Sequence, residues 1–344
     1  MGDVTVQSLK SPPLDWNKFV NDHSKAKLYH FHEWLHVIQH TFNHSINYIT
    51  INVAGKIKGI LPLIQFDSFF FGKFAVSLPF VNYGGALVSH EEFYKPLFEH
   101  VSEFCKEQRL EFIELRYDWQ LNSALPCKTH KVTFHLQLTS EEELWSSFKS
   151  KVRSQVRRPL KENMYEKIGG VALLKDFYEV FAVNMKRLGT PVLPIRFFEN
   201  ILSQFKDHAF IGIVYSSQNR PVASSFLIKY RDRVEIPWAS SLSEYNRFSP
   251  NMLLYWASIK FALENQCKVF DFGRCTPGSG TYKFKKQWGA RELPLFWYYI
   301  LPENGELPEI NPQNSKYSLA IQVWKKLPVS LTKLIGPSII KHIP

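Results

Sequence analysis

Residues 47–66 read NYITINVAGKIKGILPLIQF, and residues 210–230 read FIGIVYSSQNRPVASSFLIKY. Each stretch is an apolar strand, a short turn and a second apolar strand, the pattern of a hairpin. The likeness continues beyond the hairpins. SLPFVNYGGALV (77–88) and EIPWASSLSEYN (235–246) are extended, with a proline before an aromatic residue and then small residues. A helical stretch comes next in both copies, EEFYKPLFEHVSEFCKEQ (91–108) and NMLLYWASIKFALENQ (251–266). In the second of these, Leu253, Trp256, Phe261 and Leu263 recur at helical spacing. Each helix gives way to a strand, LEFIELRYD (110–118) and CKVFDFGRC (267–275). Pro79 and Pro237 are 158 positions apart, and so are Arg116 and Arg274, which marks an internal duplication.

A unit of three strands, a helix and a strand predicts an α/β (α+β) protein of two tandem domains, each a mixed twisted sheet flanked by helices. The reading places an N-terminal domain at 14–130, a C-terminal domain at 131–304, and a connector with an amphipathic helical tail at 305–344. The first break falls in the loop-like LNSALPCKTHK (121–131). A chain of 344 residues is long enough to bury two cores. The 28 Phe, 15 Tyr and 9 Trp supply large side chains for them.

Composition narrows the class of partner. A net charge of +11 favours anionic ligands: phosphates, nucleic acid or an acidic membrane surface. The 4 cysteines (Cys105, Cys127, Cys267, Cys275) form no CxxC pair, so neither a disulfide framework nor a zinc ribbon is expected. The greasiest run, residues 69–81, is broken by Gly72, Lys73 and Pro79 and falls short of the ~18 apolar residues of a spanning helix. With no signal-peptide pattern at the N-terminus, the expected location is the cytoplasm, at most at the inner face of the membrane. His32-Glu33-Trp34-Leu35-His36 spells HExxH, and His40 shares its helical face. No carboxylate-bearing helix comes after it, so the match is read as coincidence and no metal is expected.

The ordered motifs KVRSQVRRPLKEN (151–163), FYEVFAVNMKRLGTPVLP (177–194), VEIPWASSL (234–242), EYNRFSPNMLLYW (244–256), FDFGRCTPGSGTYKFKKQWGA (270–290) and LIGPSIIKHIP (334–344) resemble a known family. They are similar to the FemAB-related proteins of the PEP-CTERM and exopolysaccharide-associated subgroup, within the GNAT acyltransferase superfamily. The likeness runs from about Phe31 to Pro344. It implies two tandem GNAT-like folds, and an enzyme that passes an acyl group from acyl-CoA or an amino acid from aminoacyl-tRNA to an amine. The acceptor would be a cell-envelope or exopolysaccharide precursor. No permanently bound cofactor is expected.

Two places carry the chemistry that the resemblance implies. The family pattern Tyr-x-Phe-Lys-x-x-Phe/Trp-Gly is matched by Tyr282, Phe284, Lys285, Trp288 and Gly289. Lys285 then stands where a cation stabilises the developing oxyanion or leaving oxygen. Arg274 can clamp a carboxylate or phosphate, and Asp271 is either a candidate base by position or a satisfied carboxylate at a strand end. Lys283, Lys285 and Lys286 equally fit a solvated basic turn. The second place is the end of the strand at Trp238 and Ser240, where GNAT folds expose backbone N–H groups to the acyl carbonyl; Trp238 equally fits a core side chain.

The usual glycine-bearing pyrophosphate loop is missing before the next helix. That stretch reads EYNRFSPNM (244–252), with Ser249 as N-cap, Pro250 at the first helical position and Asn251 beside it. This puts acetyl-CoA in question as donor. In residues 140–162, a capping box from Ser140 to Glu143 opens a helix. Its Arg153, Arg157 and Lys161 form a basic stripe, either a track for a phosphate-rich ligand or a solvated face. Tyr83, in the matching part of the first copy, is placed on the acceptor side. Residues 190–194, TPVLP, are a rigid lid or a rigid connection. The alternative to an enzyme is a non-catalytic GNAT fold that binds a phosphate-rich or lipid-linked ligand, with the Lys-bearing tail either in peripheral contact with the membrane or, as its residues fit better, packed against the body of the protein.

Overall fold

The computed structural model describes residues 3–68, 72–308 and 315–343, so part of the greasy run and connector residues 309–314 lie outside the described residues. The chain divides into two units. Unit 1 comprises residues 1–130, 294–310 and 341–344, and unit 2 comprises 131–293 and 311–340.

Unit 1 begins with β1 (Val4–Leu9), α1 (Trp16–Asp22) and α2 (His32–Phe42). Then come β2 (Ser45–Val53), β3 (Lys56–Ser68), β4 (Gly72–Val76), β5 (Leu87–Val88), α3 (Tyr94–Glu107) and β6 (Phe112–Tyr117). The β2–β3 hairpin closes on Ala54 and Gly55, both at positive φ, as a two-residue turn with the right-handed twist requires. β1 to β4 pair antiparallel in order, and β4 pairs β6 parallel. Helix α3 buries Leu97, Val101, Phe104 and Cys105 at helical spacing against Ile49, Leu61, Ile113 and Leu115 of the sheet.

Beyond the paired residues of β4 and β6, the next loop folds back as a plug. Gly84 N and Gly85 N both donate to Arg116 O, at 3.1 and 2.7 Å. A Cβ on Gly85 would lie 2.4 Å from the Tyr117 ring. Gly85→Ala is therefore expected to destabilise the protein by about 1–3 kcal/mol, the range for overpacking. Urea unfolding of the variant, read as a lower midpoint at unchanged slope, checks this.

Unit 2 contains β7 (Cys127–Gln137, from its residue 131 on), α4 (Glu141–Ser147), α5 (Ser150–Lys161), β8 (Tyr165–Gly169), α6 (Leu174–Leu188) and α7 (Ile195–Gln204). After these come β9 (Ala209–Tyr215), β10 (Pro221–Tyr230), β11 (Arg233–Ser241), α8 (Pro250–Glu264), β12 (Val269–Asp271) and α9 (Gly280–Lys286). The sheet order is β7-β12-β11-β10-β9-β8, antiparallel except for the parallel β11–β12 pair. Adjacent residues of β10 face opposite sides. Leu227 packs in the core with Met252, Tyr255 and Ile259 of α8, while Phe226 meets Phe177 of α6 and Phe198 of α7. Because α8 lies in the core, it is apolar nearly all round, with Leu253 to Ile259 buried.

The strand β13 (Arg291–Ile300) then pairs antiparallel with β6, Phe296 opposite Tyr117 and Ile300 opposite Ile113. Helices α10 (Ser315–Lys326) and α11 (Val329–Ile340) belong to unit 2 and pack on α6. The division thus differs from the three contiguous stretches 14–130, 131–304 and 305–344. Hydrogen bonding to β6 draws residues 294–310 into unit 1, and packing on α6 draws most of the tail into unit 2.

Candidate active site

The parallel pairing of β11 with β12 lasts for three registers, ending at Glu235 opposite Asp271. Two features of the sequence end it. First, β11 carries a bulge. Trp238 pairs with Phe226 and Glu235 with Ile228, so Ile236 and Pro237 together face the single residue Leu227. Second, Pro237 lacks an N–H to give to a neighbour. A bulge bends its strand and reverses which face the later side chains occupy. Val234 and Ile236 accordingly point into the α8 core, whereas Trp238 and Ser240 face α6 and α7. From residue 236 onward β11 pairs with β10 alone, and one edge of its backbone has no strand partner among the described residues.

Trp238 is held edge-on by Phe197, Phe198 and Phe226, with centroids 5.3–5.7 Å away. Ser240 is buried, and its hydroxyl accepts from Asn184 Nδ2 at 3.1 Å. Asn184 Oδ1 in turn accepts from Arg187. A polar cluster lines the same sheet face where β7, β12 and β11 meet. Val132, Phe134 and Leu136 point into the α8 core, so the alternating Thr133 and His135 point away from it. With Asp271, Arg233 and Glu235 they form the opposite surface.

Asp271 is fully buried. Its Oδ1 accepts from Thr133 Oγ1 at 2.6 Å and from Gly273 N at 2.9 Å, and its Oδ2 lies 3.1 Å from His135 Nε2 and 3.8 Å from Arg233. Burial opposes ionisation, but the His135 and Arg233 charges and the Thr133 hydroxyl outweigh it and hold the carboxyl well below the usual carboxylate range. A carboxylate so depressed is a poor proton acceptor near neutrality. These contacts make it an anchor for the end of β12, the satisfied strand-end carboxylate that the sequence allowed beside a base.

Lys285 sits on α9, which Ser279 caps by accepting from Tyr282 N at 3.2 Å. Phe284 and Trp288 tie this helix to Tyr255, and Lys285 is drawn inward while Lys283 and Lys286 remain exposed. Its ammonium donates to Gly273 O at 2.8 Å and Arg274 O at 2.9 Å, the carbonyls just past the last paired residue of β12. Two of the three donors of the ammonium are engaged this way, and the third has no hydrogen-bond partner among the described residues. Burial lowers the Lys285 pKa to about 8, with nearby Cys275, Asp271 and Glu235 opposing the shift. The side chain is a cation at pH 7, set at the opening between β11 and β12.

The other sequence-predicted residues fall at varied places. Arg274 is half-buried on the loop after β12. Tyr282 donates its hydroxyl to Glu292 at 2.6 Å and rests on Phe134, so its ring supports α9. Asn251 opens α8 half-buried, and its Oδ1 has no hydrogen-bond partner among the described residues. Ser249 stands at the N-cap of α8 but is left-handed, with φ 61°, and makes no side-chain cap bond. A 3-10 turn, Ser243–Phe248, occupies the place of a glycine-rich loop.

The basic stripe is partly consumed. The segment 140–162 breaks at Phe148, where Arg153 caps the end of α4 by donating to Ser146 O and Phe148 O at 2.9 and 2.7 Å. Arg157 lies over the Trp145 ring at 5.2 Å. Both departures from a phosphate track have one cause, the carbonyls and the ring left open by that break.

Tyr83 belongs to unit 1, where it is buried under Lys27, rather than lining an open surface. The equivalent opening there is filled. Arg116 is buried, donates to Glu114 at 2.7 Å and to Val81 O at 3.1 Å, and lies over Trp297. The two histidines of the HExxH stretch and His40 follow one another along α2, with ring centroids 5.1 and 6.2 Å apart and ring planes tilted by 59° and 47°. Among the described residues no group of three His, Cys, Asp or Glu is placed to hold a metal.

A bulged strand that parts from its parallel neighbour, in a chain whose two units repeat one strand and helix order, defines the class as tandem GNAT-like. Residues 146–286 match the family model described as Acetyltransferase (GNAT) domain. Among solved structures, FemX superposes with a TM-score of 0.62 at 17% identity, covering 85% of this chain and 97% of its own. L-PGS from Bacillus licheniformis gives 0.55 at 11% identity, over 92% and 98% of the two chains. A tandem GNAT protein from the clavulanic acid biosynthesis pathway gives 0.54 at 9%, over 88% and 100%. Comparison with curated protein sequences gave no match. The chain is a mixed α/β protein with a tandem GNAT-like fold, and the match to the GNAT domain model falls in unit 2.

Proposed function

We propose that the protein transfers an acyl or aminoacyl group to an amine of a cell-envelope or exopolysaccharide precursor. The parting of β11 from β12 with the Lys285 ammonium at its opening carries this reading. The acyl carbonyl would lie against the free backbone edge of β11 beside Trp238. The acceptor amine attacks the carbonyl carbon, the C–N bond forms as the bond to the leaving oxygen or sulfur breaks, and the proton given up by the amine passes to that leaving atom. Lys285 stabilises the negative charge that develops on oxygen. Arg274 holds a phosphate or carboxylate of one substrate, and Asn251 contributes an acceptor at the mouth of α8.

Aminoacyl-tRNA is the favoured donor. A CoA pyrophosphate is ordinarily cradled by backbone N–H groups at a helix N-terminus. Here Pro250 removes one of those groups, and the 3-10 turn contains no glycine. The experiment is equilibrium binding of acetyl-CoA and of charged and uncharged tRNA pools at physiological and high salt. Selective binding of charged tRNA is the expected result. Tight acetyl-CoA binding with no tRNA preference would replace this donor by a thioester.

A further inference from the structure

We infer that the outer face of the α10–α11 helix pair is a docking surface for an anionic lipid bilayer. This does not depend on which group the enzyme transfers. The pair is anchored on one side. Trp324, Thr332, Gly336 and Ile340 are buried. A Cβ on Gly189, the left-handed C-cap of α6, would lie 2.5 Å from Ile321, and one on Gly336 would lie 3.0 Å from Val192. The TPVLP stretch is thus the seat of α11 rather than a lid.

The opposite side is apolar and open. Leu319 and Val323, one turn apart on α10, are 67% and 53% exposed, and Leu334 on α11 is 75% exposed, with Leu331 beside it. Trp324 and the residues one turn apart on α11 (Thr332, Gly336, Ile340) fix which side is inward, so these leucines and Val323 share the outward side. Scattered exposed leucines are ordinary, but here the charge pattern selects a partner. Residues 315–344 contain five lysines and no Asp or Glu, whereas connector residues 302–314 contain three Glu and no lysine. Lys325 and Lys326 are exposed at the end of α10. Lys333 extends over the Tyr178 ring.

Exposed leucines in a segment whose charged residues are all lysines fit the boundary between headgroups and acyl chains, where apolar burial and attraction to anionic lipid add. No helix among the described residues is long and apolar enough to cross a membrane, so the contact is peripheral. An RNA would use the lysines but gain little from Leu319 and Leu334. A second copy of the chain would be repelled by the same lysines.

The test is flotation of the full chain with phosphatidylcholine vesicles, with and without phosphatidylglycerol. Binding to the anionic vesicles alone, weakened by salt, is expected. Leu319→Glu with Leu334→Glu should weaken it more than tenfold. Lys325→Gln with Lys326→Gln should weaken it roughly 25-fold, about fivefold for each lysine. Unchanged circular dichroism and melting show that the variants fold. Failure of the folded wild type to float, equal binding to neutral vesicles, or indifference to the leucine pair would overturn the proposal. So would a dimer in sedimentation that the leucine pair dissolves, or tRNA binding that depends on those leucines.

Discussion

Lys285→Ala is expected to lower the turnover number by about 10²–10³-fold with a smaller effect on donor KM, the loss typical of removing one preorganised donor from a developing oxyanion. The ammonium is oriented by Gly273 O and Arg274 O, so its charge costs little reorganisation when the carbonyl oxygen turns negative. Because those carbonyls lose their partner, some stability is lost too, about 1–3 kcal/mol for each one left buried and unsatisfied. Lys285→Arg separates the effects by keeping a cation. It should recover part of the rate, whereas Lys285→Met should not.

The pH dependence gives an independent reading. Burial lowers the Lys285 pKa to about 8, so the wild-type rate should fall as pH rises through that value. A rate that rises there would make Lys285 a base. The fall is not an unfolding effect of this group. Its folded-state pKa lies below the unfolded value of about 10.4, so its penalty on stability is fully present below pH 8 and is relieved as pH rises between the two values.

The second large effect falls on stability. Asp271→Ala should cost about 3–5 kcal/mol, because it strips a buried carboxylate from His135, Arg233 and Thr133 and leaves their donors without that acceptor. The depressed carboxyl pKa fixes the sign of the pH effect. The contribution of Asp271 is present above the unfolded value of about 3.9 and is lost as pH falls through the folded-state value. In the variant, the acid limb of the stability profile should flatten. Asp271→Asn tests the role directly. If Asp271 anchors β12, folded variant should keep turnover within about tenfold, whereas loss of a true general base removes 10²–10⁴-fold.

Duplication was legible because hairpins, proline and arginine recur at one offset, and each repeated element has its own periodicity. The ends of the units were not. Nothing in RELPLFWYYI tells that β13 pairs with β6 of the first unit, since strand pairing over such a distance in sequence is decided by open edges that only the fold displays. The family pattern singles out Lys285, but the residues alone fit a solvated turn of Lys283, Lys285 and Lys286 equally well. That distinction comes from the face of α9 fixed by Phe284 and Trp288. The polar face made by Thr133, His135, Arg233 and Glu235 was missed, although its signal was present. Polar residues alternate with Val132, Phe134, Val234 and Ile236, the period of a half-polar strand. Pro237 is legible as part of the repeat, while its consequence, the bulge that turns Trp238 and Ser240 to the other face, depends on register and shows only in the pairing with β10.

The most direct test of the site is amide hydrogen exchange over residues 236–241, with and without the donor that binds. Beyond Glu235 one edge of β11 has no strand partner among the described residues, so its amides on that edge should exchange rapidly in the free protein and become protected when the acyl carbonyl is seated. Protection centred on Trp238 to Ser241, retained in Lys285→Met, is the predicted result. Donor binding that leaves these amides unchanged and protects another part of the chain would contradict the account.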